Sequence, residues 1–199
     1  GCNHALEHGI AFNIAGGTHH AFSDRGEAFC LLNDQAIAAQ YLINQKKCHK
    51  ILIVDLDVHQ GNGTAEIFQN NADVITFSMH GQSNYPFRKE TSDYDIALPD
   101  KTDDTTYLSI LQETLPELLN IHRPDFVFYL AGVDILGTDK LGKLGCTLEG
   151  CKTRDSYVLG LCKSLGIPVQ VSMGGGYSPA IKTIIEAHAN TYRVARALY

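Results

Sequence analysis

No stretch of this chain approaches the run of about eighteen apolar residues needed to cross a bilayer. It also has no positively charged leader ending in an apolar block and a small-residue cleavage site, so nothing in it reads as a membrane span or a targeting signal. Basic residues are outnumbered: 16 Lys and Arg stand against 22 Asp and Glu, a formal charge of −6. That balance argues against direct binding of a nucleic-acid backbone and is compatible with a cationic substrate. The six cysteines (Cys2, Cys30, Cys48, Cys146, Cys151 and Cys162) contain no C-x-x-C pair. They fit reduced thiols in a cytoplasmic compartment better than a disulfide framework. There is no long polar low-complexity tract, and 199 residues with 44% hydrophobic content predict one globular domain spanning 1–199. An initiating methionine is also absent. The chain opens within what reads as the last turns of a helix, residues 2–8 closed by Gly9, a start that predicts a missing N-terminal part. Cys2, His4 and His8 there read as incidental surface, lacking partners.

What is present is organised around Ile51–Gly63. Ile51, Leu52, Ile53 and Val54 form a continuous apolar run, the pattern of a strand buried on both faces of a parallel sheet. Asp55, Asp57 and His59 follow at a spacing of two, so a persisting strand would put them on one face. Carboxylates and an imidazole at the carboxyl end of a parallel strand sit where open α/β sheets bind ligands. An ordinary turn with Asp55 as a helix cap is the competing reading.

Taken in order, strands are predicted at 10–15, 51–54, 74–78, 96–98, 126–131 and 169–173. Helices are predicted after Asn33 or Asp34 with Ile37, Ala38, Tyr41 and Leu42 inward, and from Asp103 or Asp104 with Leu108, Leu111, Leu115 and Leu118 inward. Pro116 leaves the last turn of that second helix open. Two more are predicted, at about 149–165 and 179–188. The alternation predicts an α/β fold, a doubly wound, mostly parallel sheet with helices on both faces.

The strand ends deliver a chemically coherent set. Asp57, His59 and Asp134 offer two carboxylates and one imidazole, an open ligand set for a catalytic divalent ion such as Zn²⁺. His19 and His20, after Gly16 and Gly17, can move a proton between water and a leaving amine. Asp55 can hold one imidazole through Nδ1 and Asn62 can orient the other without adding charge. Tyr177, after three glycines, is suited to donate to a developing oxyanion, with a helix-start packing role as the alternative.

These runs together resemble the histone deacetylase family, in particular its small class IV branch. The matching segments are Gly16-Gly17-Thr18-His19-His20, Phe29-Cys30-Leu31-Leu32-Asn33-Asp34, Val54 through Gly63, Ala131-Gly132-Val133-Asp134 and Gly174-Gly175-Gly176-Tyr177. The resemblance implies an arginase/deacetylase-like three-layer sandwich that hydrolyses N-acyl-lysine with Zn²⁺ on Asp57, His59 and Asp134. It implies that His20 transfers the proton, that His19 orients water with support from Asp55, and that Tyr177 polarises the carbonyl. It further implies a structural K⁺ held by Asp55, Asp57, His59, Ser78 and the Met79 carbonyl, and a substrate channel bounded by Phe29, Tyr85 and Gly175. Asn62 stands where commoner branches carry aspartate. The domains of the family run longer, so the part absent here would leave the edge beside residues 10–15 open to oligomerisation or a partner segment. An acylated polyamine or other small amide as substrate, and a catalytically inactive metal-stabilised interaction module, are the other readings.

Overall fold

The computed structural model describes residues 1–199. The apolar runs become β1 (Ile10–Asn13), β2 (Ile51–Asp55), β3 (Val74–Gly81), β4 (Tyr94–Leu98), β5 (Phe126–Leu130) and β6 (Val169–Ser172). They form one six-stranded sheet in the order β1-β6-β5-β2-β3-β4, with every neighbouring pair parallel. Parallel neighbours need crossover connections, which here are carried largely by helices. These are α1 (Cys2–His8), α2 (Asp34–Asn44), α3 (Asn62–Phe68), α4 (Asp104–His122), α5 (Leu148–Leu165) and α6 (Ile181–Leu198).

The continuous apolar run of β2 has a direct explanation. Leu52 and Val54 enter a core with Leu111 and Leu115 of α4 and Val158 of α5, while Ile51 and Ile53 enter a second core with Ala36, Ala39 and Leu42 of α2 and Phe68 of α3. Alternate side chains serve opposite faces, and both faces are covered. From β2 the chain moves outward to β3 and β4, then returns to β5 on the other side of β2. The strand order therefore reverses between β2 and β5, the place where open α/β sheets leave a crevice beyond their carboxyl ends.

Several expectations are corrected. The inward face of α2 is Ala36, Ala39 and Leu42, whereas Ile37 and Tyr41 are exposed. α4 runs through Pro116 to His122. A proline there removes the N–H that would bond the Gln112 carbonyl, and the Tyr157 hydroxyl of α5 donates to that carbonyl at 3.3 Å instead. α3 was not anticipated, and α6 begins at Ile181 and extends to Leu198 because Thr191, Val194 and Ala195 continue its buried face beyond His188. β1 closes one edge of the sheet with a single partner, β6, so its outer side is unpaired.

Candidate active site

β2 stops at Asp55, so Asp57 and His59 do not sit on a continuing strand face. The chain instead turns on its own carboxylates: Asp57 N donates to Asp55 Oδ1 at 3.1 Å, and His59 N donates to Asp57 Oδ1 at 3.0 Å. Such local side-chain bonds replace the ladder and bend the backbone. Asp134, beyond β5, accepts from Val58 N at 2.9 Å through Oδ1, which locks the two strand ends together.

The result is a buried triad. Ligand atoms of Asp57, His59 and Asp134 all lie within 4.8 Å of one another. His59 Nδ1 is 3.0 Å from Asp57 Oδ1 and 3.2 Å from Asp134 Oδ2, yet Asp134 Oδ2 has no hydrogen-bond partner although the residue is fully buried. A side chain at Gly175 would collide with that same oxygen; its N–H donates instead to Asp57 Oδ2 at 2.7 Å. Burial and the neighbouring Asp57 charge raise the Asp134 carboxyl to about 7. Buried carboxylates crowded together with one oxygen unpaired are unfavourable unless a cation joins them. Two carboxylate oxygens and one imidazole nitrogen fit a divalent ion such as zinc.

Two adjacent histidines stand beside the triad, with ring centroids 4.1 Å apart and opposite electrostatics. His19 Nδ1 lies 2.6 Å from Asp55 Oδ2. Burial alone would lower the His19 pKa, but the charge and hydrogen bond of Asp55, with Asp57, raise it to about 9. His20 Nδ1 meets the uncharged Asn62 Oδ1 at 2.7 Å, and burial together with the His19 charge lowers its pKa to about 3. Neighbouring groups driven apart in this way divide into one charged and one neutral imidazole.

A cavity of about 430 Å³ joins these groups; His19, His20, Asp57, His59, Gly175 and Tyr177 line it. Phe29 and Tyr85 line it too, Phe29 6.1 Å from the Tyr177 ring and Tyr85 edge-on to His20 at 5.0 Å. Tyr177 lies ahead of α6, whose first residue is Ile181, and lines the cavity. Burial, then the charges of Asp57 and Asp134, push its phenol up to about 12, so it remains a donor at neutral pH. Asp55, Asn62 and Asp134 lie directly behind the lining residues. Ser78 and Met79 are buried on β3, with Ser78 opposite Asp55 in register and its hydroxyl 3.0 Å from His80 Nδ1. The terminal cluster comprises His4, Glu7 and His8, all exposed, rather than Cys2.

Two supporting residues escaped the sequence reading. Arg154 of α5 is wholly buried; its Nη1 donates to the carbonyls of Gly132 at 2.6 Å and Leu56 at 3.2 Å, close in sequence to Asp134 and Asp57. Its Nε and Nη2 meet Asp155 Oδ1 at 2.9 and 2.8 Å. Glu27 accepts from Asn62 Nδ2 at 2.8 Å. Neither residue belongs to a motif or follows a periodicity.

Comparison with known proteins gives a consistent picture. The family model described as "Histone deacetylase domain" matches residues 2–192. An uncharacterized protein of Picosynechococcus sp. is 50% identical over 195 residues, covering 98% of this chain and 65% of that protein. Histone deacetylase 2 of Arabidopsis thaliana is 32% identical over 184 residues, covering 91% of this chain and 48% of that protein. Among solved structures, the acetylpolyamine aminohydrolase from Burkholderia pseudomallei superposes with a TM-score of 0.82 at 26% identity, covering 99% of this chain and 59% of that one. The chain thus spans about half to two thirds of the length of these relatives. No helix in it is long and apolar enough to cross a membrane.

Proposed function

The chain belongs to the histone deacetylase family, and on that footing we propose that it is the site-bearing part of a zinc-dependent amidohydrolase that removes acyl groups from N-acyl-lysine side chains. The observation that carries this reading is the convergence of the Asp57, His59 and Asp134 triad, the His19 and His20 pair and Tyr177 on one cavity walled by Phe29 and Tyr85. An ion held by Asp57, His59 and Asp134 would supply Lewis-acid polarisation of the acyl carbonyl and acidify the attacking water.

The protein groups divide the remaining work. His20 takes the proton from water as its oxygen bonds to the acyl carbon, and returns it to the lysine nitrogen as the carbon–nitrogen bond breaks. The products are a carboxylate and a free amine. His19, kept charged by Asp55, orients the water and stabilises negative charge as it develops. Tyr177 donates its phenolic hydrogen to the carbonyl oxygen as that charge grows. Phe29 and Tyr85 flank the aliphatic part of the acyl-lysine side chain, where aromatic faces suit methylenes. A K⁺ ion near Asp55, Ser78 and the Met79 carbonyl, completed by Asp57 and His59, is part of the same reading; oxygen donors of this kind suit a hard cation.

The Gln60-Gly61-Asn62-Gly63 form supports placing the chain nearest the class IV branch. An acylated polyamine is a second substrate class, favoured by the likeness to the aminohydrolase structure and by the net charge of −6. Association through the unpaired edge of β1 is a further element of the proposal. Hydrolysis of acetyl-lysine peptides, longer acyl-lysine peptides and acetylated polyamines by the full-length protein, with and without chelator, tests the reading. Preference among the three assigns the substrate, and inactivity on all with zinc restored rejects it in favour of an interaction module.

A further inference from the structure

Glu27 sits at the start of a tight reverse turn. Its N–H and carbonyl exchange hydrogen bonds with Cys30, both at 2.9 Å, so the backbone position of the side chain is fixed. One carboxylate oxygen, Oε1, receives Asn62 Nδ2 at 2.8 Å and also the hydroxyl of Tyr85. The other, Oε2, lies 3.7 Å from Arg25 Nε.

We propose that Glu27 is a positioning residue that sets the tautomer of His20 and ties the Tyr85 wall of the channel to the catalytic base. The proposal rests on the amidohydrolase reading for its consequence, but its structural part follows from donor and acceptor chemistry alone. An ionised carboxylate only accepts hydrogen bonds. Asn62 must therefore turn its NH₂ toward Glu27, which leaves its carbonyl oxygen facing His20 Nδ1 at 2.7 Å. A carbonyl oxygen also only accepts, so His20 Nδ1 must carry the hydrogen and Nε2 must keep its lone pair. Nε2 is then the atom free to take a proton. Without Glu27 the Asn62 amide could turn over, present NH₂ to Nδ1 and force the hydrogen onto Nε2, which abolishes the base. The same carboxylate holds the Tyr85 ring edge-on to His20 at 5.0 Å, so one residue fixes both the base and part of the channel wall.

The direct test exchanges acid and amide in the full-length, metal-loaded protein. Glu27→Ala removes the acceptor, and Asn62→Asp sets two acceptor-only groups face to face. The double variant Glu27→Gln with Asn62→Asp restores the polarity: the introduced amide NH₂ takes the place of Oε1, donates one hydrogen to the introduced carboxylate, which accepts from His20 Nδ1–H, and offers its second hydrogen to the Tyr85 hydroxyl oxygen, while the amide oxygen faces Arg25. Nitrogen-15 NMR of labelled histidine reads the His20 tautomer, and steady-state kinetics on an acetyl-lysine peptide read its effect. The native protein is expected to hold a hydrogen on Nδ1. Glu27→Ala is expected to mix the tautomers and lower kcat by roughly 10–100-fold with metal content unchanged, and the exchange variant to recover most of both losses. An unchanged tautomer in Glu27→Ala, or an exchange variant no better than Glu27→Ala, overturns the proposal. The tautomer arm needs no turnover, so it reads the role of Glu27 even if no amide tested is hydrolysed.

Discussion

Arg154 Nη1 donates to the Gly132 carbonyl at 2.6 Å, two residues ahead of Asp134. The same nitrogen reaches Leu56 O at 3.2 Å, one residue ahead of Asp57, so one buried guanidinium ties together the backbone that carries both acidic residues of the triad. Its charge is balanced by Asp155, whose Oδ1 also accepts from Tyr129 at 2.5 Å and whose Oδ2 accepts from Thr191 at 2.7 Å.

Removing the guanidinium leaves a buried carboxylate and two carbonyls without their donor. Arg154→Leu is expected to destabilise the fold by about 3–5 kcal/mol, measured by urea denaturation. A loss within the ordinary surface range, below about 0.5 kcal/mol, contradicts the role given to Arg154.

On the proposed reading, an ion that relieves the crowding of Asp57 and Asp134 is part of the stability of the site. Chelation is expected to lower the Tm of the native protein, since an ion at 100 times its Kd contributes about 2.7 kcal/mol. In Asp134→Asn the zinc-dependent gain should shrink or vanish. Equal chelator sensitivity of the two proteins by calorimetry counts against the triad as the metal centre.

His20 and Tyr177 are assigned to proton transfer and charge stabilisation rather than to holding metal. His20→Ala should retain its zinc and lose roughly 10²–10⁴-fold in kcat. Tyr177→Phe should retain its zinc and lose about 10²–10³-fold. Elemental analysis showing that either variant has shed its metal contradicts the assignment.

His80 is buried, 1% exposed, and burial lowers its pKa to about 4, with Asp95 opposing and Lys89 adding to the shift. The unfolded chain binds the extra proton first as pH falls. The contribution of His80 is therefore fully present above about 6.5 and is lost as pH falls from there toward about 4, on the order of 2–3 kcal/mol. Unfolding free energies of the native protein and His80→Asn between pH 7 and pH 4 check this: the variant should show a shallower fall, and parallel slopes count against it.

The sequence made the central strand legible because Ile51–Val54 is buried on alternating faces, and the candidate site residues legible because polar groups recur after successive apolar strands, although Asp55, Asp57 and His59 alone also read as an ordinary turn. The route by which they converge was not, since Asp57 and His59 hang on a bend held by Asp55 rather than on a strand. Arg154 could not be found in advance: its target Leu56 is 98 residues away, and a charge inside a helix ordinarily reads as solvated surface. Glu27 was hidden in the same way, its partners Asn62 and Tyr85 lying 35 and 58 residues on. On α2 the stripe Ile37, Ala38, Tyr41 and Leu42 holds at Leu42 only: Ala36 and Ala39 share the buried face with it, while Ile37 and Tyr41 are exposed. On α6 the buried positions Ala187, Thr191 and Ala195 are too small or too polar to announce a helix face.

The central claim is that one divalent ion on Asp57, His59 and Asp134 serves an amide hydrolysis whose proton is carried by His20. Its most direct test is acetate release from an acetyl-lysine peptide by the full-length protein, with metal content quantified before chelation, after it and after zinc is returned. The account predicts one catalytic ion per chain, turnover abolished on chelation and restored by zinc. Turnover that persists after the ion is gone, or a fully zinc-loaded protein that cleaves neither acetyl-lysine nor acetylated polyamines, contradicts it.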